Sequence, residues 1–341
     1  MTSSLGIAVI GGGSFGTVVA NIIAENGYEV SLWLRSEAQA QDILSTRINH
    51  RYMPDYPLLP EVMPTNDLEK AVSGAKVIIM AVPSKAFRQV LKQVKAYLAD
   101  DAMVVSTTKG IEATSNSLMS QVMRQELPTQ AIGVLSGPNL AKEIAKRQLA
   151  ATVIASDDAE VRSIIQAILR RSYFRVYANN DMYGVELGGA LKNIYAIATG
   201  MAAALGMGEN TKSMLVTRSL AEMSRFAVRL GANPLTFIGL AGVGDLMVTC
   251  MSPLSRNYRV GFALGQGGSL EKIVEELGEV AEGVGTLECL HHWSKELDVY
   301  MPLVDGLYAV VFDGRSVEEV IKALMGGEQS SDVEFVLPRG A

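Results

Sequence analysis

Near its amino terminus the chain reads IAVIGGGSFGTVVANIIAENG, residues 7 to 27, and no other stretch restricts the possible folds as much. Gly11, Gly13 and Gly16 stand in G-x-G-x-x-G spacing between a short aliphatic run and an apolar stretch that closes near Gly27. Each glycine has a physical task. Gly11 permits a tight turn, Gly13 lets a pyrophosphate approach the backbone, and Gly16 lets the following helix pack closely on the strand. The helix start then offers unpaired N–H groups and a positive dipole end to phosphates. Glycines in this strand–turn–helix setting predict a dinucleotide-binding βαβ unit.

The rest of the first half fits that start. Strand-like runs recur at EVSLWL, KVIIMAVP, MVVSTT, AIGVLSG, ATVIAS and YFRVYA, with helix-like segments such as SKAFRQVLKQVKAYLA and DDAEVRSIIQAILRR between them. Several runs are apolar throughout, as strands buried on both faces must be, so the pattern predicts a Rossmann-like, doubly wound parallel sheet. After about Asn180 the strand signals stop. LVTRSLAEMSRFAVRLGA and SLEKIVEELG carry helical periodicity. The expected plan is α/β, with a dinucleotide-binding domain over residues 1–180 and an all-α domain over residues 181–341. A length of 341 residues suffices for both. No repeat or long linker separates them, so close packing is expected, and the polar stretch from Gly326 is expected to fray.

Charge and composition exclude several function classes. Thirty basic and 36 acidic side chains give a net charge of −6, which argues against a nucleic-acid binder but leaves room for a locally positive pocket. Cys250 and Cys289 have neither zinc-type spacing nor the look of a secreted disulfide framework, so a reduced, cytoplasmic setting is expected. The amino terminus lacks the basic region of a signal peptide. No His/Asp/Glu/Cys cluster has metal-ligand spacing, and no integral membrane span is expected.

Two residues bear on the chemistry. An NAD-selective site places Asp or Glu at the end of the second strand to hold the ribose hydroxyls. Here that place holds Arg35, suited to a 2′-phosphate, which favours NADPH over NADH; a solvated loop arginine is the alternative. The second residue is Lys192, inside VELGGALKNIYAIATGMAAALGMG, residues 185 to 208. A nicotinamide dehydrogenase needs a group that exchanges a proton with the substrate hydroxyl. His50, His291 and His292 sit in loop-like or surface-helix settings, whereas apolar surroundings lower a lysine's pKa toward the working range. The alternative is a lysine whose stem merely covers apolar surface.

The motifs IGGGSFGT, TTKGIE, LSGPNLAKEIA, ELGGALKNIYAIATG, GLAGVGDLMVTC and SRNYRVG, in this order, closely resemble the bacterial NAD(P)-dependent glycerol-3-phosphate dehydrogenases over nearly the whole chain. The resemblance implies a Rossmann domain followed by a helical domain, an NADPH or NADH cofactor, a homodimer, and reversible hydride transfer between sn-glycerol 3-phosphate and dihydroxyacetone phosphate, serving phospholipid synthesis.

Residue roles follow from the same resemblance. Lys192 is the proton acceptor for the C2 hydroxyl, or its donor in the synthetic direction. Lys109 contacts cofactor and substrate at the carboxyl edge of the sheet. Asp245 is a substrate-site carboxylate that orients Lys192. Ser255, Arg256 and Asn257 serve the substrate phosphate, Arg256 also touching the cofactor, because a guanidinium fork makes two parallel charge-assisted bonds. Gly137 and Asn139 belong to the substrate loop and Ala141 to its cofactor side. Ser14 and Phe15 line the glycine loop, Val280 and Glu282 its far wall, and Asn193 and Thr249 meet substrate. The family commonly has threonine where this chain has Asn139. β-Hydroxyacid and 6-phosphogluconate dehydrogenases share the plan, but they carry asparagine four positions after the lysine. Here that residue is Ala196, and the asparagine is the adjacent Asn193. A non-catalytic NADPH-binding regulator is the remaining alternative. Such a protein has no need of Lys192, Lys109, Asp245 and Arg256 together.

Overall fold

The computed structural model describes residues 5–277 and 282–326. The chain divides into two compact units, Met1–Ala190 with Ile238–Asp245, and Leu191–Phe237 with Leu246–Ala341.

The first unit is built on one eight-stranded sheet. Its strands are β1 (Ile7–Ile10), β2 (Val30–Trp33), β3 (Val62–Thr65), β4 (Val77–Met80), β5 (Met103–Ser106), β6 (Ala131–Ser136), β7 (Ala150–Ala155) and β8 (Phe174–Asn179). They lie in the order β3-β2-β1-β4-β5-β6-β7-β8. The first six are parallel neighbours in the 3-2-1-4-5-6 order of a doubly wound dinucleotide fold. Every residue of β1 is buried, because each face has its own core. Ile7 and Val9 join a cluster with Val18, Ile22 and Ile23 of α1 (Ser14–Glu25). Ala8 and Ile10 join another with Phe87 and Leu91 of α2 (Ser84–Lys95) and Met119 and Val122 of α3 (Met119–Glu126).

Two details differ from the sequence expectation. β3 was not anticipated. Its VMPT carries Pro64, which cannot donate to a ladder, and the strand accordingly sits at the sheet edge beside β2. β7 runs antiparallel to β6, and β8 follows β7 in parallel, so the sheet is mixed at that end. The β6–β7 connection contains only the five-residue helix Ala141–Ala145. Its rise of about 7.5 Å cannot carry the chain back along a strand of about 20 Å, so β7 starts from the edge where β6 ends.

α4 (Met182–Ala204) begins in the first unit and continues into the second. The described remainder of the second unit contains helices and no strand, including α5 (Glu209–Arg229), α6 (Asp245–Met251, whose first residue belongs to the first unit), α7 (Arg256–Gly265), α8 (Glu282–Glu296) and α9 (Pro302–Val311). The small residues of α4 have local uses. A side chain at Gly200 would strike the Tyr258 carbonyl of α7, and one at Gly261 would strike the Ile197 carbonyl, so these two helices meet backbone to backbone. In the first unit, Gly188 leaves room for the Ala241 carbonyl and Gly189 for the Ser136 hydroxyl.

Each unit also buries a glutamate against the start of a helix. Glu186 accepts from the Ser120 N–H of α3 at 3.0 Å. Glu222 accepts from the Leu303 N–H of α9 at 2.6 Å and from the Tyr195 hydroxyl at 3.2 Å. Both are 2% exposed. Burial pushes the carboxyl of each up to about 7, against the opposing pull of these hydrogen bonds. Among the described residues no helix is long and apolar enough to cross a membrane, and no three His, Cys, Asp or Glu side chains converge as metal ligands would.

Candidate functional site

The glycine loop is made almost entirely of backbone. Gly11 has φ +122°, and a side chain there would strike the Ala81 carbonyl beyond β4. A side chain at Gly16 would strike the Gly11 carbonyl, so this glycine sets how closely α1 approaches the turn. Gly13, at the N-cap of α1, faces open space, with nothing within 4 Å of where a Cβ would stand. No side chain caps α1 and its first turn has no acidic residue. Its leading N–H groups therefore suit a pyrophosphate, and these residues fit a dinucleotide. Ser14 and Phe15 are half-buried at this helix start. Arg35 is exposed, two residues beyond the end of β2.

One support of this loop was not found from sequence. The buried Asn49 donates to the Gly12 carbonyl at 2.9 Å and to the Thr17 hydroxyl at 2.8 Å. Gln39 ties the same pair together, reaching the Asn49 carboxamide at 3.0 Å. Asn49 lies in RINHRYMPDYP, a segment with no periodicity to mark it; its neighbour His50 is exposed beside Asp42.

The second feature of the first unit lies past the carboxyl ends of β5 and β6, the edge where doubly wound sheets bind ligands. Lys109 Nζ donates to Asp245 Oδ2 at 2.7 Å and to the Gly137 carbonyl at 2.9 Å. The Lys109 side chain is 20% exposed, while that of Asp245 is 1%. Gly137 has φ +148° and lies against Thr152, so the carbonyl turned to Lys109 belongs to a conformation that favours glycine. Asn139 donates to Thr152 Oγ1 at 2.9 Å, and its own Oδ1 is left without a partner. Ala141 opens the short helix that follows. A lysine head held between a carboxylate and a carbonyl is fixed in place. It is suited to an anionic or carbonyl-bearing ligand. The Asp245 partner of Lys109 was not anticipated.

In the second unit Lys192 is 5% exposed, and its Nζ donates to Thr249 Oγ1 at 2.7 Å. Asn193, also buried, presents its backbone carbonyl to Gly283, and Asn257 Oδ1 accepts from the Gly283 N–H at 3.0 Å. That leaves the Asn257 amide nitrogen as a donor. Ser255 is the N-cap of α7, its hydroxyl accepting from the Tyr258 N–H at 3.3 Å. Arg256 is the first residue of that helix, where the positive dipole end adds to its own charge. Glu282 opens α8. Val280 lies outside the described residues.

Comparison with known proteins places the chain among relatives of one kind. A family model described as the NAD-dependent glycerol-3-phosphate dehydrogenase N-terminus matches residues 6–162, and its C-terminal counterpart matches residues 181–322. The glycerol-3-phosphate dehydrogenase [NAD(P)+] of Azotobacter vinelandii is 60% identical over 334 residues, 98% of each chain. The crystal structure of glycerol-3-phosphate dehydrogenase from Coxiella burnetii matches with a TM-score of 0.90 at 34% identity, over 94% of this chain and 98% of that one. The glycerol-3-phosphate dehydrogenase structure from Saccharomyces cerevisiae matches at 26% identity with a TM-score of 0.83, over 94% and 99% of the respective chains.

Proposed function

Because the chain belongs to the NAD-dependent glycerol-3-phosphate dehydrogenase family, we propose that the features of its two units serve one reaction, the reversible interconversion of dihydroxyacetone phosphate and sn-glycerol 3-phosphate. The protein is an NAD(P)-dependent oxidoreductase. When bound, the nicotinamide dinucleotide supplies or takes the hydride at substrate C2.

The chain's own residues do the rest. In the reading proposed here, residues 1–180 form the cofactor domain and residues 181–341 the substrate domain. The α1 N–H groups with Ser14 and Phe15 hold the pyrophosphate, Arg35 meets a 2′-phosphate, and Ala141, Val280, Glu282 and Arg256 complete the cofactor's surroundings. Lys109, held in place by Asp245, contacts cofactor and substrate and draws electron density toward the C2 oxygen. Lys192 moves the proton at that oxygen, donating it in ketone reduction and taking it in alcohol oxidation. Thr249, by accepting one N–H of Lys192, orients the rest of that amino group. Gly137, Asn139 and Asn193 orient the substrate. Arg256, Asn257 and Ser255 at the start of α7 take its phosphate. A cytoplasmic homodimer supplying glycerol 3-phosphate for phospholipid synthesis completes the proposal.

The observation that carries this reading is the Lys109 ammonium set between Asp245 and the Gly137 carbonyl at the carboxyl edge of β5 and β6. The test follows loss of NADPH absorbance after adding dihydroxyacetone phosphate, with NADH and with unphosphorylated dihydroxyacetone as comparisons. Rapid oxidation that requires the phosphate is expected, faster with NADPH. Equal rates with the unphosphorylated ketone would remove the phosphate site from the reading, and no oxidation beside clean NADPH binding would remove the reaction.

A further inference from the structure

Lys109 lies in a short connection after β5, and a lysine on a loop is useful only if the loop is held. On the amino side the connection is fastened to the segment following β4. The Thr107 hydroxyl donates to the Met80 carbonyl at 3.0 Å, and the Thr108 hydroxyl donates to the Val82 carbonyl at 2.7 Å. On the carboxyl side the chain enters a small hairpin, Ile111–Glu112 with Ser117–Leu118. A two-residue ladder is a short tether for that side. An arginine secures it.

Arg88, in the second turn of α2, meets Glu112 with both arms of its fork. Its Nε donates to Oε1 at 2.8 Å and its Nη2 to Oε2 at 2.6 Å. The same guanidinium reaches Glu126 Oε1 at 2.6 Å and Gln125 Oε1 at 2.7 Å at the end of α3. Ser115 adds a further bond to Glu112. The side chains of Arg88 and Glu112 are 25% and 14% exposed, so the pair is partly shielded from water, unlike an ordinary surface ion pair. A bidentate fork fixes direction as well as distance. α3 is itself anchored at its other end by the buried Glu186. Glu112 is three residues beyond Lys109, and nothing in the function proposed above uses it or Arg88.

We propose that Arg88 and Glu112 are positioning residues that clamp the Lys109 connection and so set where the Lys109 ammonium meets the substrate carbonyl. The inference rests on the role given to Lys109 under Proposed function. The clamp acts through backbone geometry. Loosening it leaves the lysine present but displaced, and a misplacement of about 1 Å can cost about a hundredfold in rate.

The Glu126 carboxylate supplies the control, because it binds the same guanidinium without touching the connection. Arg88→Ala, Glu112→Gln, the double variant, Glu126→Gln and Lys109→Ala are compared in the full-length enzyme by kcat/KM for dihydroxyacetone phosphate, with thermal melts alongside. Arg88→Ala and Glu112→Gln are each expected to lose about tenfold or more. The double variant is expected to fall no further than the worse single, because one interaction is broken in both. Glu126→Gln is expected within twofold of wild type. An equal loss for Glu126→Gln and Glu112→Gln would reduce the cluster to general packing and overturn the proposal. So would a Glu112→Gln enzyme within twofold of wild type. Should Arg88→Ala fail to fold, the near-isosteric Glu112→Gln decides alone. A Lys109→Ala enzyme of normal kcat/KM would instead sink the role of Lys109 itself, whatever the clamp does.

Discussion

The glycine loop in the first unit and the lysine region of the second are built from different materials. Around Gly11, Gly13 and Gly16 the chemistry lies in backbone N–H groups, and the side chains matter mainly by being absent. Around Lys192, Thr249, Asn257 and Arg256 the backbone is ordinary helix, and the chemistry lies in what projects from it. A backbone site is tied to the fold, so it is hard to alter without altering the turn. A side-chain site can be edited atom by atom, and its contributions can be separated.

That contrast sets what substitutions should do. The largest effect is expected at Lys192. Replacing it with alanine removes the proposed proton-transfer group and should lower kcat by about 10²–10⁴-fold, with NADPH affinity unchanged in fluorescence titration. A kcat near wild type would take the lysine out of the mechanism and leave the second unit without its proposed centre.

The next effect is on stability, and both units share its source. A rise from 4.5 to about 7 at Glu186 or Glu222 means the folded protein holds a proton that the unfolded chain has already released. The stabilisation is full below about pH 4.5 and is lost as pH climbs through about 7, by an amount on the order of 3 kcal/mol per group. Other carboxylates add their own slopes, so the readout is a difference. The melting temperature of Glu222→Gln relative to wild type should rise between pH 5 and pH 8. A flat difference would mean that Glu222 does not titrate in this range. The same measurement on Glu186→Gln tests the corresponding carboxyl of the first unit.

Arg256→Ala should raise KM for dihydroxyacetone phosphate by about ten- to a hundredfold, the value of a charge-assisted bond, with a much smaller change in KM for NADPH. An equal rise for both would move the arginine from the substrate phosphate to the cofactor. Gly16→Ala is the backbone counterpart. Its new methyl meets the Gly11 carbonyl, and relief of the overlap should cost about 1–3 kcal/mol, read as weaker NADPH binding together with a lower melting temperature. Loss of affinity with an unchanged melt would break the comparison, because it would show that the loop can be edited as freely as a side chain.

Legibility followed the same division. The glycine spacing marked the strand–turn–helix start because Gly11 and Gly16 answer local steric demands that act over a few neighbours. Strands buried on both faces were readable as continuous apolar runs for the same reason. β3 escaped because Pro64 disguises an edge strand, and the reversal at β7 escaped because strand direction depends on the length of a connection rather than on the strand's own residues. Asn49 escaped because a polar residue in an irregular segment carries no local mark of what it will bind. Arg88 escaped likewise: on α2 it reads as one more cation of a solvated face, and its carboxylate partners stand 24 and 38 positions away.

By itself, then, the sequence determined the doubly wound unit, the helical second half and the residue types available for chemistry, since these depend on periodicity and on steric rules that act over a few neighbours. Only the tertiary structure decided which groups meet: Lys109 with Asp245 across 136 positions, Lys192 with Thr249 across 57. Hydrogen bonds and ion pairs act over a few ångströms of space, and distance along the chain places no constraint on them until the fold has closed.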